Sequence, residues 1–133
     1  MIRATDLSDR KEGTASLDLT IASGFVSGLI AYHNLSSTVN LNSPKHYSVQ
    51  LWIKSSTPTT DGLFKLILDN DTGCGSATES INIPVLTANT WKQALLDIAT
   101  PGSALAAVAC VGLTSGTADP GTATVTLDLI TAR

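Results

Sequence analysis

The sequence predicts an all-β fold, a two-sheet antiparallel β-sandwich of jelly-roll type with about eight strands. Three observations lead there. Apolar and polar residues alternate strictly in several short stretches, as in strands with one face in a core. Gly, Pro, Asn and Asp cluster between those stretches at turn-to-turn spacing. Only 14% of the 133 residues are charged, while 43% are hydrophobic. Ser, Thr, Asn and Gly fill the difference, a composition suited to pleated, half-buried surface rather than to helix or disorder.

Residues 1–12 have mixed charge and no periodicity. They are read as an N-terminal arm, a frayed end in the plainer reading or a segment ordered against a partner in the sharper one. Residues 13–133 are read as a single jelly-roll domain, a size that buries enough surface for its own core. Leu17, Leu19 and Ile21 alternate with Ser16, Asp18 and Thr20 to give the first expected strand. Gly28–Leu35 is the second. Tyr47, Val49, Leu51 and Ile53, alternating with Ser48, Gln50, Trp52 and Lys54, form the third. Leu63–Asp69, Ser80–Pro84 and Trp91–Ile98 follow. The last of these has a helical alternative, but it is short and lies between strand-like neighbours. Leu105–Leu113 is an apolar run expected as a strand buried on both faces, entered through a helical turn at Ala104–Ala107. Val125, Leu127 and Leu129, alternating with Thr124, Thr126 and Asp128, make the eighth. Turn signals at Ser23-Gly24, Asn42-Ser43-Pro44, Asp61-Gly62, Asp71-Thr72-Gly73, Pro101-Gly102 and Asp119-Pro120-Gly121 separate them.

The net charge of −3 and eight scattered basic residues give no basic patch for nucleic acid. No apolar run is long enough for a transmembrane helix, and the polar start at Met1 does not read as a secretory signal. The expectation is synthesis in a cytoplasm. On that basis Cys74, in a Gly-rich loop, and Cys110, in an apolar run, are expected as free thiols, Cys110 acting as a small hydrophobe.

Chemistry-bearing motifs are sparse. His33 and His46 have no nucleophile context and no G-x-S-x-G occurs, so both are expected at the surface or rim. Asp69, Asp71 and Glu79 could in principle pair as glycosidase carboxylates, but acids beside a Gly-rich turn ordinarily form turns. Asp69-Asn70-Asp71-Thr72-Gly73 opens like a calcium loop yet lacks the third oxygen ligand and the Glu at the twelfth position, where Ser80 stands. Trp52, Tyr32 and Trp91 are candidate stacking platforms for a sugar ring. Trp52 shares a face with Lys54, opposite the Tyr47–Ile53 set, although a core or rim position is the plainer expectation for it.

The order of these signals resembles the jelly-roll carbohydrate-binding-module superfamily, especially the module-like domains of phage virion proteins. The matching stretches are Lys11-Glu12-Gly13-Thr14-Ala15-Ser16-Leu17, Tyr47 through Ser56, Asn82-Ile83-Pro84 with Ala88-Asn89-Thr90-Trp91, Val111-Gly112-Leu113, and Thr126 through Ile130. Together they span residues 11 to 130. The resemblance implies a structural calcium held by Glu12 and Asp128; Leu129 stands where the pattern often has a second acid. A lone, unsignalled domain of this kind implies a virion component. The leading expectation is a non-enzymatic capsid decoration (cement) protein, a homotrimer that binds the major capsid protein through edge strands and loops. The alternative is a carbohydrate-binding module or tail-associated receptor-binding domain that uses exposed aromatics on a glycan. A hydrolase using Asp69, Asp71 or Glu79 ranks last.

Overall fold

The computed structural model describes residues 2–6 (backbone only), 9–13, 15–25, 27–42, 48–98, 102–116 and 119–132. Among them run nine strands: β1 (Ile2–Asp6), β2 (Ser16–Ile21), β3 (Gly28–Val39), β4 (Ser48–Ser55), β5 (Phe64–Asp69), β6 (Glu79–Asn82), β7 (Lys92–Asp97), β8 (Val108–Ser115) and β9 (Ala123–Ala132). A 3-10 turn at Ser103–Ala107 leads into β8. The strands form a five-stranded sheet, β1-β2-β9-β4-β7, and a four-stranded sheet, β3-β8-β5-β6. Every pairing is antiparallel. The chain is thus an all-β sandwich, as the alternation predicts.

Period-2 alternation decides which side chains enter the core, since successive residues of a strand point to opposite faces. On β4, Val49, Leu51 and Ile53 are buried while Gln50, Trp52 and Lys54 face out. On β9, Val125 and Leu127 enter the core and Thr124, Thr126 and Asp128 face the other way. The opposing sheet contributes Phe64, Leu66 and Leu68 of β5 and Leu113 of β8 to the same core. Removing about 25 cal/mol of free energy per Å² of apolar surface taken from water, this shared core is the main term holding the two sheets together.

Three expectations change. Residues 2–6 are not frayed: β1 pairs with β2 from Ile2↔Thr20 to Asp6↔Ser16, which adds a fifth strand to the larger sheet. The alternation of β9 breaks after Leu127. Trp52 pairs with Asp128 but Gln50 pairs with Thr131, so three residues of β9 span two of β4. This bulge puts Leu129 at φ 39, a left-handed conformation a branched side chain rarely adopts, and leaves it exposed rather than buried with Leu127. Third, the cysteines are joined, Cys74 to Cys110, with their Cα atoms 5.6 Å apart. The free-thiol expectation fails because the loop after β5 folds back over the outer face of the smaller sheet. There Cys74, Cys110 and Ile67 make a small separate apolar cluster. Gly112 makes room for it, since a Cβ there would lie 3.2 Å from Cys74 Sγ and 3.2 Å from Leu29 Cδ1. The readings of His46 and Tyr47 and of the turns at Ser43-Pro44 and Pro101 lie outside the described residues.

The bridge closes a segment of 36 residues. Loop-closure entropy then predicts that Cys110→Ser lowers unfolding stability by about 3–4 kcal/mol. Urea denaturation of the variant beside the oxidised parent checks this, and the parent in reducing agent should fall to the same level.

Candidate functional site

The outer face of the larger sheet gathers the polar and aromatic side chains that the core excludes. Register places Trp52 of β4 between Gln93 of β7 and Asp128 of β9. Trp91 immediately precedes β7 and lies beside Lys54, whose Nζ sits 5.2 Å from the centre of its ring. A turn positions Trp91: Asn89, at φ 55, donates its amide to the Ser55 carbonyl at 2.7 Å. Upstream, Leu86 donates its amide to Thr59 Oγ1 at 3.0 Å. The β6–β7 connection is thereby fastened to the end of β4 before Trp91 begins the return.

Residues 9–13 cross this face as a strap. Its anchor is Asp128, whose Oδ2 accepts the amides of Lys11 at 2.7 Å and Glu12 at 2.8 Å. Asp9 forms an ion pair with Lys54 and accepts a hydrogen bond from Trp91 Nε1 at 2.8 Å. Its carbonyl accepts the hydroxyl of Ser16 at 2.6 Å. Lys11 Nζ lies 5.3 Å from the ring centre of Trp52, and Trp52 Nε1 donates to Glu12 Oε1 at 3.4 Å. Both indoles are therefore half-buried, tied at their N–H edges and oriented by the strap. The cation–π contact at Lys11, itself exposed, is worth only about 0.5–1 kcal/mol. A ligand ring that displaced that ammonium from Trp52 would lose little.

Next to Trp91 a polar recess of about 160 Å³ is lined by Asp9, Asp18, Lys54, Ser56, Asn89 and two threonines of β9. Asp18 Oδ1 is buried there without a hydrogen-bond partner. Carboxylate, ammonium, carboxamide and hydroxyl groups beside a pair of indoles offer both donors and acceptors to a polyhydroxylated molecule and an apolar surface to its ring faces.

The other site expectations divide. Trp52 and Trp91 come together on one face, and Trp52 is not a core residue. Tyr32 does not join them: it lies on β3 of the opposite sheet, paired with Gly112, and is 49% exposed. Glu12 and Asp128 are brought side by side, but as arranged they do not fit a calcium site. One Asp128 oxygen faces two N–H donors, and the Glu12 carboxylate turns to an indole. Calcium asks for six to eight oxygens, and among the described residues no three His, Cys, Asp or Glu side chains converge. Asp69 is fully buried and accepts the amides of Asp71 and Ser76, each at 3.2 Å. It shapes the 70–78 loop as a turn former and is out of reach of a substrate. His33 is exposed on β3. The strap had no sequence signal beyond Glu12; its other contacts pair residues up to 117 positions apart.

No protein-family profile matches the chain, and no curated protein does. Among solved structures it resembles the family 30 carbohydrate-binding module of the cellulosomal cellulase Cel9D-Cel44B of Clostridium thermocellum. The TM-score is 0.62 at 14% identity, over 98% of this chain and 81% of that one. A second structure of a family 30 carbohydrate-binding module gives 0.61 at 14% identity over 98% and 83%. A third gives 0.59 at 16% over 96% and 71%. At such identities the likeness establishes the fold, a carbohydrate-binding-module-like β-sandwich. Among the described residues no helix is long and apolar enough to cross a membrane.

Asp128→Ala removes the acceptor of two strap amides and should cost about 1–3 kcal/mol. Hydrogen exchange should accelerate at residues 10–13 while β4 and β9 core amides stay protected, and tryptophan emission should shift to the red as the indoles lose their cover.

Proposed function

We propose that this chain is a non-catalytic carbohydrate-binding domain whose contact surface is the outer face of the five-stranded sheet. One observation carries the reading. Two indoles, Trp52 and Trp91, share a face with a recess of carboxylate, ammonium and hydroxyl groups, in a fold whose solved neighbours are carbohydrate-binding modules. Sugar rings would stack on the indoles through their C–H faces. Asp18, Lys54, Ser56 and Asn89 would bond hydroxyls and set which epimer fits, because a buried polar group left unpaired by the wrong sugar costs more than a matched one gains.

The fold comparison favours this reading over a trimeric coat on a capsid shell, since the solved neighbours are carbohydrate-binding modules. A tail-associated receptor-binding domain in a virion would use the same aromatic face, so a phage setting is compatible with glycan contact. The partner is then a glycan rather than a major capsid protein.

The experiment is a broad glycan array, followed by calorimetry on the best ligand. Trp52→Ala and Trp91→Ala should each weaken binding by about tenfold or more, a loss of about 1.4 kcal/mol or more. Tyr32→Ala, on the other sheet, should leave affinity unchanged. Silence of the folded parent across the array would sink the proposal.

A further inference from the structure

A second recess lies away from the aromatic face. It lies between the two sheets, a cleft of about 550 Å³ that opens beside β3 and the end of β9. Its floor is aliphatic: Val49, Leu66, Leu68 and Leu127 line it although each is at most 9% exposed. Its mouth is ringed by Tyr32, Val39, Leu129 and Ile130, four of the seven large hydrophobic side chains exposed among the described residues. Among the described residues its polar side chains are few: Ser16 and His33 at the rim, Tyr32, and Asp128, whose Oδ2 already accepts the Lys11 and Glu12 amides. The β9 bulge sets this mouth, because it turns Leu129 and Ile130 out of the core register, and it holds Leu129 at φ 39. Strain of that kind persists where the surrounding fold imposes it, and it clusters at functional sites.

We infer that this cleft binds a single aliphatic chain, of the kind carried by a free fatty acid, with its polar head at the Ser16–His33 rim. The volume lies in the range of small-molecule pockets, about 300–1,000 Å³, and the lining has their pattern of apolar depth with few polar groups. Water in the depth would find no hydrogen-bonding partners. The floor residues sit between sheets that pack about 10 Å apart, so a second protein surface cannot reach them and a narrow chain can. A bilayer surface, like a protein surface, cannot follow the cleft down between the sheets, which favours a free chain over a membrane lipid.

The test is a fluorescence titration of the full chain with cis-parinaric acid, followed by displacement with palmitate. Saturable binding at one site per chain, reversed by palmitate, is expected. Val111→Phe fills the cleft, and Ile130→Asp places a charge at its exposed mouth; each should weaken binding at least tenfold. Trp52→Ala should leave it unchanged, which separates this site from the aromatic face. Should Val111→Phe fail to fold, the exposed Ile130→Asp variant still decides the matter. Absence of saturable binding, or equal affinity in a folded Ile130→Asp variant, overturns the inference. So does binding to phosphatidylcholine vesicles without binding of the free acid.

Discussion

Strand β9 is the element on which both faces of the larger sheet depend. It lies between β2 and β4, so its hydrogen bonds join the two halves of that sheet. Its alternation sends Val125 and Leu127 into the core and Thr124, Thr126 and Asp128 to the other side. One residue of slip would exchange those faces, placing a carboxylate in the apolar layer and two branched side chains under the strap. The bulge at Leu129 avoids a slip of the whole strand by absorbing one extra residue locally, at the cost of a strained backbone.

From β9 the consequences run outward. Asp128 faces away from the core, is nearly buried, and has its charge met by two backbone amides rather than by a lysine. Those amides belong to the chain that leads from β1 into β2, so the carboxylate fixes the path of the strap. The strap in turn carries Asp9 to Lys54 and Trp91, and Lys11 to Trp52. Two indoles, one on β4 and one at the entrance to β7, are thus held through a strap that one carboxylate of β9 anchors. The opposite sheet solves a similar problem covalently: the 70–78 loop is tied across its outer face by the Cys74–Cys110 bridge and by Asn34, whose Oδ1 accepts the Gly73 amide at 2.7 Å.

The sandwich was legible because alternation is a local signal. Val49, Leu51 and Ile53 announce their common face without reference to the rest of the chain, and the 3-10 turn before β8 shows in its run of small residues. What escaped was whatever depends on distant segments meeting. Ile2–Asp6 has no apolar alternation of its own, and it becomes a strand because the edge of β2 is free to pair. The disulfide joins residues 36 apart through a loop reversal that no local pattern encodes. Trp52 and Trp91 could be named as candidates, but only register and the Asn89 turn put them on one face, and Tyr32 on the other. The bulge at Leu129 reads in the sequence as one more alternating position.

The account rests on the claim that the Trp52–Trp91 face, and not the Tyr32 face, meets the glycan. The most direct measurement is an amide and indole NMR titration of the full chain with the best-binding oligosaccharide. The account predicts that the indole signals of Trp52 and Trp91 shift together with backbone signals of Lys54, Asn89, Thr124 and Thr126, while Tyr32, Asn34 and Thr114 stay still. Shifts confined to β3 and β8, with both indole signals unmoved, would contradict it.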